Sequence, residues 1–337
     1  MRTPFRVSLL VLCVALVGAI AWGSLELDTA PTEVAVATTP QAPPTRDIAD
    51  IARPLPAEAP IAPASEANRA LAPELAALLA RAEAGDSRAA CTLGTRLAAC
   101  AYADFYTDER LESLRREEAH ADAGGDRTRA DEMARILLRG TTIRSFCDQA
   151  DASLQNRGFD LMRQAALAGE PEAIVRYANG EALARRAMQP YAFLRMPRFE
   201  TWRAEAPALI EALQQSGRPE AVLVMLVAND GGSHLSFITP IDPVQDAAYR
   251  LLAHHLFGEH EALRRFKAPA GLTPEQQHEA AQRAEAWHRE QFSGKRFRLE
   301  EHVAALRSPI ATELPVGWPE PANSSPACFD GDAEGRP

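Results

Sequence analysis

The chain has 337 residues, of which 46% are apolar and 24% are charged, close to the average of globular proteins. This length suits two ordinary domains, or one elongated repeat domain with tails. Acidic residues outnumber basic residues 46 to 36, and the formal net charge is −10 at pH 7. No cluster of Lys and Arg stands out, so the composition argues against binding to nucleic acid or to a membrane through a polybasic surface.

The N-terminus has the pattern of an export signal. Arg2 and Arg6 are followed by an uncharged apolar run from Val7 to Trp22. This run is shorter than the roughly 20 residues that a membrane-spanning helix needs. Two interpretations of residues 1–22 stay open: a signal peptide cleaved after Ala21, or an uncut anchor whose arginines face the cytoplasm. Both predict that the remaining chain lies in the periplasm or on the outer face of the cytoplasmic membrane.

Residues 23–69 are rich in Ala, Pro and Thr and contain few large apolar side chains. Such a stretch cannot bury a core, and its prolines favour extended polyproline conformations. We therefore predict a disordered linker that separates the N-terminal segment from a helical domain over residues 70–307.

The helical domain opens with an apolar stripe. Leu71, Leu75, Leu78 and Leu79 follow the spacing i, i+4, i+7 and i+8, which places them on one face of a helix. The sequence Gly85-Asp86-Ser87 then predicts the end of this helix and the N-cap of the next one.

A sharper pattern occurs twice further along the chain. Residues Gly169–Ala173 and Gly217–Ala221 both have the form G-x-P-E-A. Glycine supplies the left-handed residue after a helix, and proline fits the first turn of the next helix. Glutamate in that turn faces the positive end of the helix dipole, and alanine allows close helix packing. The pattern predicts helices joined by tight turns.

Three later segments complete the predicted elements. The apolar run Ala221–Ala228 is compatible with a strand or a helix, and its repeat context favours a buried helix. Asp242-Pro243 predicts the start of another helix. Thr273-Pro274-Glu275-Gln276 is a capping box that predicts a helix reaching about Phe292. Residues 308–337 contain many prolines, and we predict an irregular C-terminal tail.

The residues Ala165–Ala173, followed by Tyr177, Ala178 and Gly180, resemble the Sel1-like repeat, a relative of the tetratricopeptide repeat. The resemblance covers roughly residues 71–100, 161–184 and 209–228, and residues 102–145 match no repeat. It implies an all-α fold, an α-solenoid of antiparallel helix pairs that holds other proteins. It brings no catalytic residues from the family.

Four cysteines follow Cys13 of the N-terminal segment: Cys91, Cys100, Cys147 and Cys328. An even number in an exported chain predicts two disulfides, and buried free thiols are the alternative. If Cys91 and Cys100 share one helix, their Cα atoms lie about 13.5 Å apart, beyond the disulfide limit of about 7 Å. Each would then pair with Cys147 or Cys328, and the connectivity stays open. A bond to Cys328 would hold the C-terminal tail against the helices.

The resemblance to Sel1-like repeats adds one further expectation. Some Cys-rich members join the two helices of a repeat by a disulfide. Here Cys91 matches the second-helix position, but Glu83 stands where its partner would be, which argues against this bridge.

The densest set of possible metal ligands is His254, His255, Glu259 and His260. Neither H-E-x-x-H nor its inversion occurs there, so we expect solvated or capping histidines and no metal. The G-x-S-x-G elbow, the Ser-x-x-Lys motif and nucleotide-binding glycine loops are also missing from the sequence. We therefore predict no cofactor, no catalytic residue and no enzymatic activity.

Four aromatic residues cluster in the irregular connection over residues 188–202: Tyr191, Phe193, Phe199 and Trp202. Aromatic side chains in such a loop are typical of a surface that binds a partner. The alternative is that they cover the helical core.

The sequence as a whole predicts an exported helical-repeat protein, membrane-tethered if the N-terminal segment stays uncut, that binds a protein or peptide in the cell envelope. Two alternatives remain. One is a cell-envelope hydrolase that uses unrecognised acidic or histidine residues, and the other is a structural spacer without a ligand.

Overall fold

The structure, a computed structural model, describes residues 72–183, 192–239, 242–267 and 269–303, together with Cys328. All of them belong to one unit, Thr45–Pro337. The described residues form helices and no strand, so the predicted all-α class is confirmed. The predictions for the N-terminal segment, the linker, Tyr191 and the tail apart from Cys328 fall outside the described residues.

The α-helices follow one another through short connections. In chain order they are α1 (Pro73–Glu83), α2 (Ser87–Ala99), α3 (Asp108–Ala123), α4 (Arg127–Cys147), α5 (Ala152–Asn156), α6 (Gly158–Leu167), α7 (Pro171–Ala178), α8 (Pro197–Gln215), α9 (Glu220–Asn229), α10 (Pro243–Phe257), α11 (Glu261–Arg264), α12 (Pro274–Glu290) and α13 (Leu299–His302). Short 3₁₀ helices lie at Cys100–Phe105, Glu181–Leu183, Ala192–Arg195 and His234–Phe237. No helix of the described ranges is both long enough and apolar enough to cross a membrane.

The predicted helix starts are confirmed at three caps. The Asp86 carboxylate accepts the backbone N–H of Ala89 at 2.9 Å and caps α2. Asp242 caps α10, and Thr273 forms a complete capping box with Gln276 at the start of α12. Helix α12 ends at Glu290, slightly before the expected end near Phe292. These caps satisfy N–H groups that the first helical turn leaves without a partner.

The two G-x-P-E-A segments form the predicted turns. Gly169 and Gly217 follow α6 and α8 with φ angles of +86° and +75°. At Gly217 a Cβ atom would also lie 2.8 Å from the carbonyl oxygen of Gln291, closer than real Cβ contacts come. Glycine is therefore required there by backbone conformation and by packing. Pro171 begins α7, whereas Pro219 is the N-cap of α9.

The apolar run after Gly217 forms helix α9, as its repeat context predicts. Residues Ala221–Leu226 are all buried, and the helix packs against α8 and α10. Because neighbouring helices cover α9 on several sides, its sequence has no polar face and lacks the usual helical periodicity.

Residues 102–145, which match no repeat, form a separate packing unit. Helices α3 and α4 pack mainly against each other, and they share a cluster of buried residues that includes Leu111, Leu114, Met133 and Ile143. Helix α2 packs directly against α6, which follows this pair in the chain. The pair α3–α4 thus lies, in chain order, between two helices that contact each other.

Candidate functional site

The four cysteines form two disulfides, Cys91–Cys328 and Cys100–Cys147, with Cα–Cα distances of 5.3 and 5.5 Å. These pairs agree with the prediction that Cys91 and Cys100 pair with Cys147 or Cys328 and not with each other, and they favour disulfides over the alternative of free thiols. Cys91 lies in α2 and Cys100 directly after that helix. Glu83, which stands at the position expected for a bridge within the repeat, forms an ion pair with Arg157 at 2.7 Å instead. The first disulfide holds one residue of the C-terminal tail in the core.

Three of the four predicted binding residues are close together and buried. The ring centroids of Phe193 and Phe199 lie 5.8 Å apart, and those of Phe199 and Trp202 lie 5.5 Å apart. Trp202 is fully buried, and its Nε1–H donates to the carbonyl oxygen of Tyr177 at 2.7 Å. This burial favours the alternative that the three rings cover the helical core. Direct contact between these rings and a partner stays a prediction.

Two exposed apolar side chains are linked to this buried cluster, Phe237 by a ring contact and Leu194 by its place next to Phe193 in the chain. Phe237 is 53% exposed, and its ring centroid is 5.9 Å from that of Phe193. Leu194, the residue after Phe193, is 39% exposed. His234 completes the group, because its ring meets the Phe193 ring edge-on at 4.7 Å. We call the exposed side chains Leu194 and Phe237, together with the supporting rings of Phe193 and His234, the aromatic surface.

The His234 ring is held in one orientation. Its Nδ1 lies 3.1 Å from the carbonyl oxygen of Asn179, and since a carbonyl only accepts, Nδ1 carries the proton. Burial lowers the pKa of His234, so the ring is neutral at pH 7. A Cβ at Gly180 would lie 2.7 Å from the His234 Cβ, so this glycine permits the close approach. The support under Phe237 is therefore uncharged and tightly packed.

The sequence contains a weak signal for the aromatic surface, which our sequence analysis missed. Gly231 and Gly232 mark an irregular connection after α9, and Phe237 is the large aromatic residue that follows them. An aromatic residue in a glycine-rich connection is a reasonable candidate for an exposed position. Its contact with Phe193, far away in the chain, is a tertiary contact that local sequence does not reveal.

A buried ionic network lies near the end of α7. Arg176 is fully buried and donates from Nε to Glu172 at 2.8 Å and from Nη1 to Glu181 at 2.9 Å. The second oxygen of Glu172 accepts the backbone N–H of Cys328 at 2.8 Å. Burial raises the pKa of Glu181 to about 7, although the Arg176 charge opposes this shift. One guanidinium faces two carboxylates, so the fully ionised network carries an excess negative charge.

A second buried network joins α6, α7 and α8. Glu205 of α8 accepts from Arg163 of α6 at 2.6 Å and from the Tyr177 hydroxyl of α7 at 2.8 Å. Burial and the neighbouring Glu205 carboxylate raise the pKa of Tyr177, so its hydroxyl stays protonated. Because every member has a partner within the network, this arrangement holds three helices in register below the aromatic cluster.

The histidine-rich segment has structural contacts. The His260 Nδ1 accepts the Ala262 N–H at 3.1 Å and caps α11. His255 stacks on His288 with ring centroids 5.3 Å apart, and its pKa is lowered by burial and by the charge of that neighbour. Within the described ranges, no three His, Cys, Asp or Glu side chains are placed to hold a metal ion.

A cleft of about 470 Å³ lies where α2, α4 and α6 approach one another. Its lining includes Asp148, Gln155, Phe159 and Arg198. Arg198 donates to the Asn156 carbonyl oxygen at 2.7 Å and pairs with Asp160 at 3.2 Å. These contacts engage the guanidinium in holding α5 and α6 to α8, so we assign this cleft no ligand.

A function for this chain has to be inferred from the features described above: the buried ionic networks, the histidine-rich segment, the cleft and the aromatic surface. The charged groups described above are engaged in contacts that hold helices together, and the aromatic surface is the apolar feature left exposed beside the predicted binding residues. The chain matches no protein-family model, no curated protein and no solved structure.

Proposed function

We propose that this chain is an exported helical-repeat protein that binds another protein or a peptide, and that the aromatic surface is its binding site. The observation that carries the proposal is the position of Phe237, whose ring is 53% exposed yet stands against the buried ring of Phe193. Aromatic side chains contribute more than most others to binding energy at protein interfaces. A ring held by a buried neighbour also loses little conformational freedom on binding.

This proposal changes the roles of the residues predicted from the sequence. Phe199 and Trp202 support the surface from below, and Phe193 links them to the exposed ring. Leu194 and Phe237 make the contact with the partner. The formal net charge of −10 favours a partner with a basic surface, which would be attracted over a distance of about one Debye length, roughly 8 Å.

We further propose that the helices stack as a solenoid of antiparallel pairs related to Sel1-like repeats. In support, successive helices contact each other from α6 through α10, and α1 packs against α2. The direct contact between α2 and α6 is consistent with a repeat array interrupted by the inserted pair α3–α4. A solenoid would give the aromatic surface a fixed place on a long scaffold.

The proposed location is the periplasm or the outer face of the cytoplasmic membrane. Two disulfides support an oxidising compartment, because thiols in the cytosol are kept reduced. The apolar N-terminal run supports export in either form, cleaved or anchored. The partner would then be another protein or peptide of the cell envelope.

The test is cross-linking of a C-terminally tagged chain in its own cells, followed by purification and identification of what comes with it. We expect one envelope protein in near-stoichiometric amount with the wild type, and its loss with Phe237→Ala. Phe105→Ala is the matched control, because Phe105 is 70% exposed at a distant place in the chain. Equal recovery with a folded Phe237→Ala variant, or a solitary wild-type protein, would contradict the proposal.

A further inference from the structure

The two ring nitrogens of His234 have different roles. Nδ1 donates its proton to the carbonyl oxygen of Asn179 at 3.1 Å, so Nε2 of the neutral ring is an acceptor. Within the described ranges no group forms a hydrogen bond with Nε2, and Nε2 is not a buried atom, so solvent reaches it. His234 therefore offers a fixed hydrogen-bond acceptor at the surface.

This acceptor lies next to the exposed ring of Phe237. The ring centroids of His234 and Phe237 are 6.3 Å apart, and both rings lie against Phe193. The two residues belong to one 3₁₀ helix, His234–Phe237, which the fully buried Leu235 holds in the core. The spacing between the exposed ring and the acceptor is thus set before any partner binds.

The acceptor sets a condition on what can cover this surface. A side chain that packs on Phe237 and excludes water also takes solvent away from the His234 Nε2. A buried acceptor without a donor costs free energy, so an aliphatic or phenylalanine side chain is a poor occupant. The occupant must therefore combine an apolar body with a hydrogen-bond donor.

The charge of the aromatic surface favours a neutral donor. Leu194, Phe193 and Phe237 are apolar, and burial lowers the pKa of His234, so its ring is uncharged at pH 7. Glu181, which follows the glycine packed against His234, already pairs with Arg176 at 2.9 Å. An ammonium or guanidinium would lose its water here without gaining a negative partner.

We propose, on the basis of the function proposed above, that the partner inserts a tryptophan or tyrosine side chain whose ring packs on Phe237 and whose N–H or O–H donates to Nε2 of His234. These two side chains carry a large ring and one neutral donor, and that donor usually has a hydrogen-bond partner when it is buried. Phe237 then supplies apolar contact area, and His234 determines which side chain is accepted.

The full chain is prepared with para-fluorophenylalanine at position 237 and isotope-labelled histidine for NMR. The probes are N-acetyltryptophanamide and N-acetyltyrosinamide, each compared with an analogue methylated at the indole nitrogen or the phenol oxygen. We expect the donor-bearing probe of at least one pair to shift the fluorine signal and the Nε2 resonance. Its dissociation constant should be about fivefold lower than that of the methylated analogue, because one neutral hydrogen bond is gained.

Two controls separate the hydrogen bond from general stickiness. His234→Phe keeps a ring beside Phe193 but removes the acceptor, so both members of each pair should bind it equally. N-acetylargininamide should bind the wild type more weakly than the preferred probe, because its charge finds no negative partner. The comparison of paired probes on the wild type has no substitution at position 234, so it decides even if the variant does not fold.

Three results would overturn this assignment: equal binding within both probe pairs, a preference that persists in His234→Phe, or tightest binding by the arginine probe. An absence of any fluorine shift would also contradict it. If the cellular partner is nevertheless lost with Phe237→Ala, the proposed function stands and only the assigned side chain is wrong. If Phe237→Ala leaves partner recovery unchanged as well, the proposed function fails too.

Discussion

Replacement of Glu181 by glutamine should change how the stability of the protein depends on pH. The Glu181 side chain is only 9% exposed, and burial raises its pKa from 4.5 to about 7. A carboxyl whose pKa is raised by folding stabilises the folded state fully below its unfolded pKa. This contribution is lost as the pH rises through the folded pKa. The amide introduced by Glu181→Gln is permanently neutral and has the same shape, so the variant lacks this dependence.

The size of this pH effect follows from the pKa of Glu181 in the unfolded chain, 4.5, and its pKa in the fold, about 7. Between pH 5 and pH 8, linkage gives a loss of about 2–3 kcal/mol in the free energy of unfolding of the wild type relative to the variant. The groups that face Glu181 are Arg176, Glu172 and Tyr102, and all three are present in both proteins. The difference between the two proteins therefore isolates the titration of Glu181 from that of other groups, including His234.

The assay is urea unfolding followed by far-ultraviolet circular dichroism at several pH values in this range. We expect the variant to gain stability relative to the wild type as the pH rises, with most of the change complete by about pH 7. A difference that stays constant with pH would refute the argument that Glu181 is buried with a raised pKa. A relative loss of stability at high pH would mean that the ionised form is the one that folding favours.

Three further predictions concern stability. The two disulfides close loops with sequence separations of 237 and 47, so removal of both cysteines of Cys91–Cys328 should cost about 5 kcal/mol and removal of Cys100–Cys147 about 4 kcal/mol in the chain-entropy model. Denaturant unfolding measures both, and a larger loss for the second pair would contradict the ranking. Gly217→Ala should cost about 1–3 kcal/mol and clearly more than Gly271→Ala, because both glycines have positive φ angles but Gly271 has open space around its Cα. Equal costs would show that the contact with Gln291 is unimportant. Trp202→Phe should cost about 1–3 kcal/mol, since it removes the hydrogen bond from the indole to the Tyr177 carbonyl and leaves a gap where the buried indole packed. An unchanged thermal midpoint would contradict this.

The helical class could be predicted because its signals are local. Asp86 and Thr273 cap helices through residues three positions away, and Gly169 and Gly217 end helices by their own backbone conformation. The exclusion of a Cys91–Cys100 bond also followed from local geometry, namely the rise of one helix. The local sequence did not show whether Cys91 pairs with Cys147 or with Cys328, because that choice depends on where the fold places Cys328.

The site could be predicted only in part, because burial is a tertiary property. Trp202 and Phe199 have the composition of a binding loop, but α7 supplies the carbonyl that receives the Trp202 N–H and draws this ring into the core. Phe237 lies in a different connection, and only the fold brings it next to Phe193. Glu181 likewise has the sequence context of a solvated acid, and its raised pKa arises from packing around Arg176.

The most direct test of the proposed function is site-specific photo-cross-linking in the cells that make the protein. A photoreactive amino acid is placed at position 237, at position 194 and, as a control, at position 105, where Phe105 is 70% exposed in a different 3₁₀ helix. We expect positions 237 and 194 to cross-link to the same envelope protein or peptide, and we expect no such cross-link from position 105. An absence of cross-links at position 237, or the same products from all three positions, would contradict it.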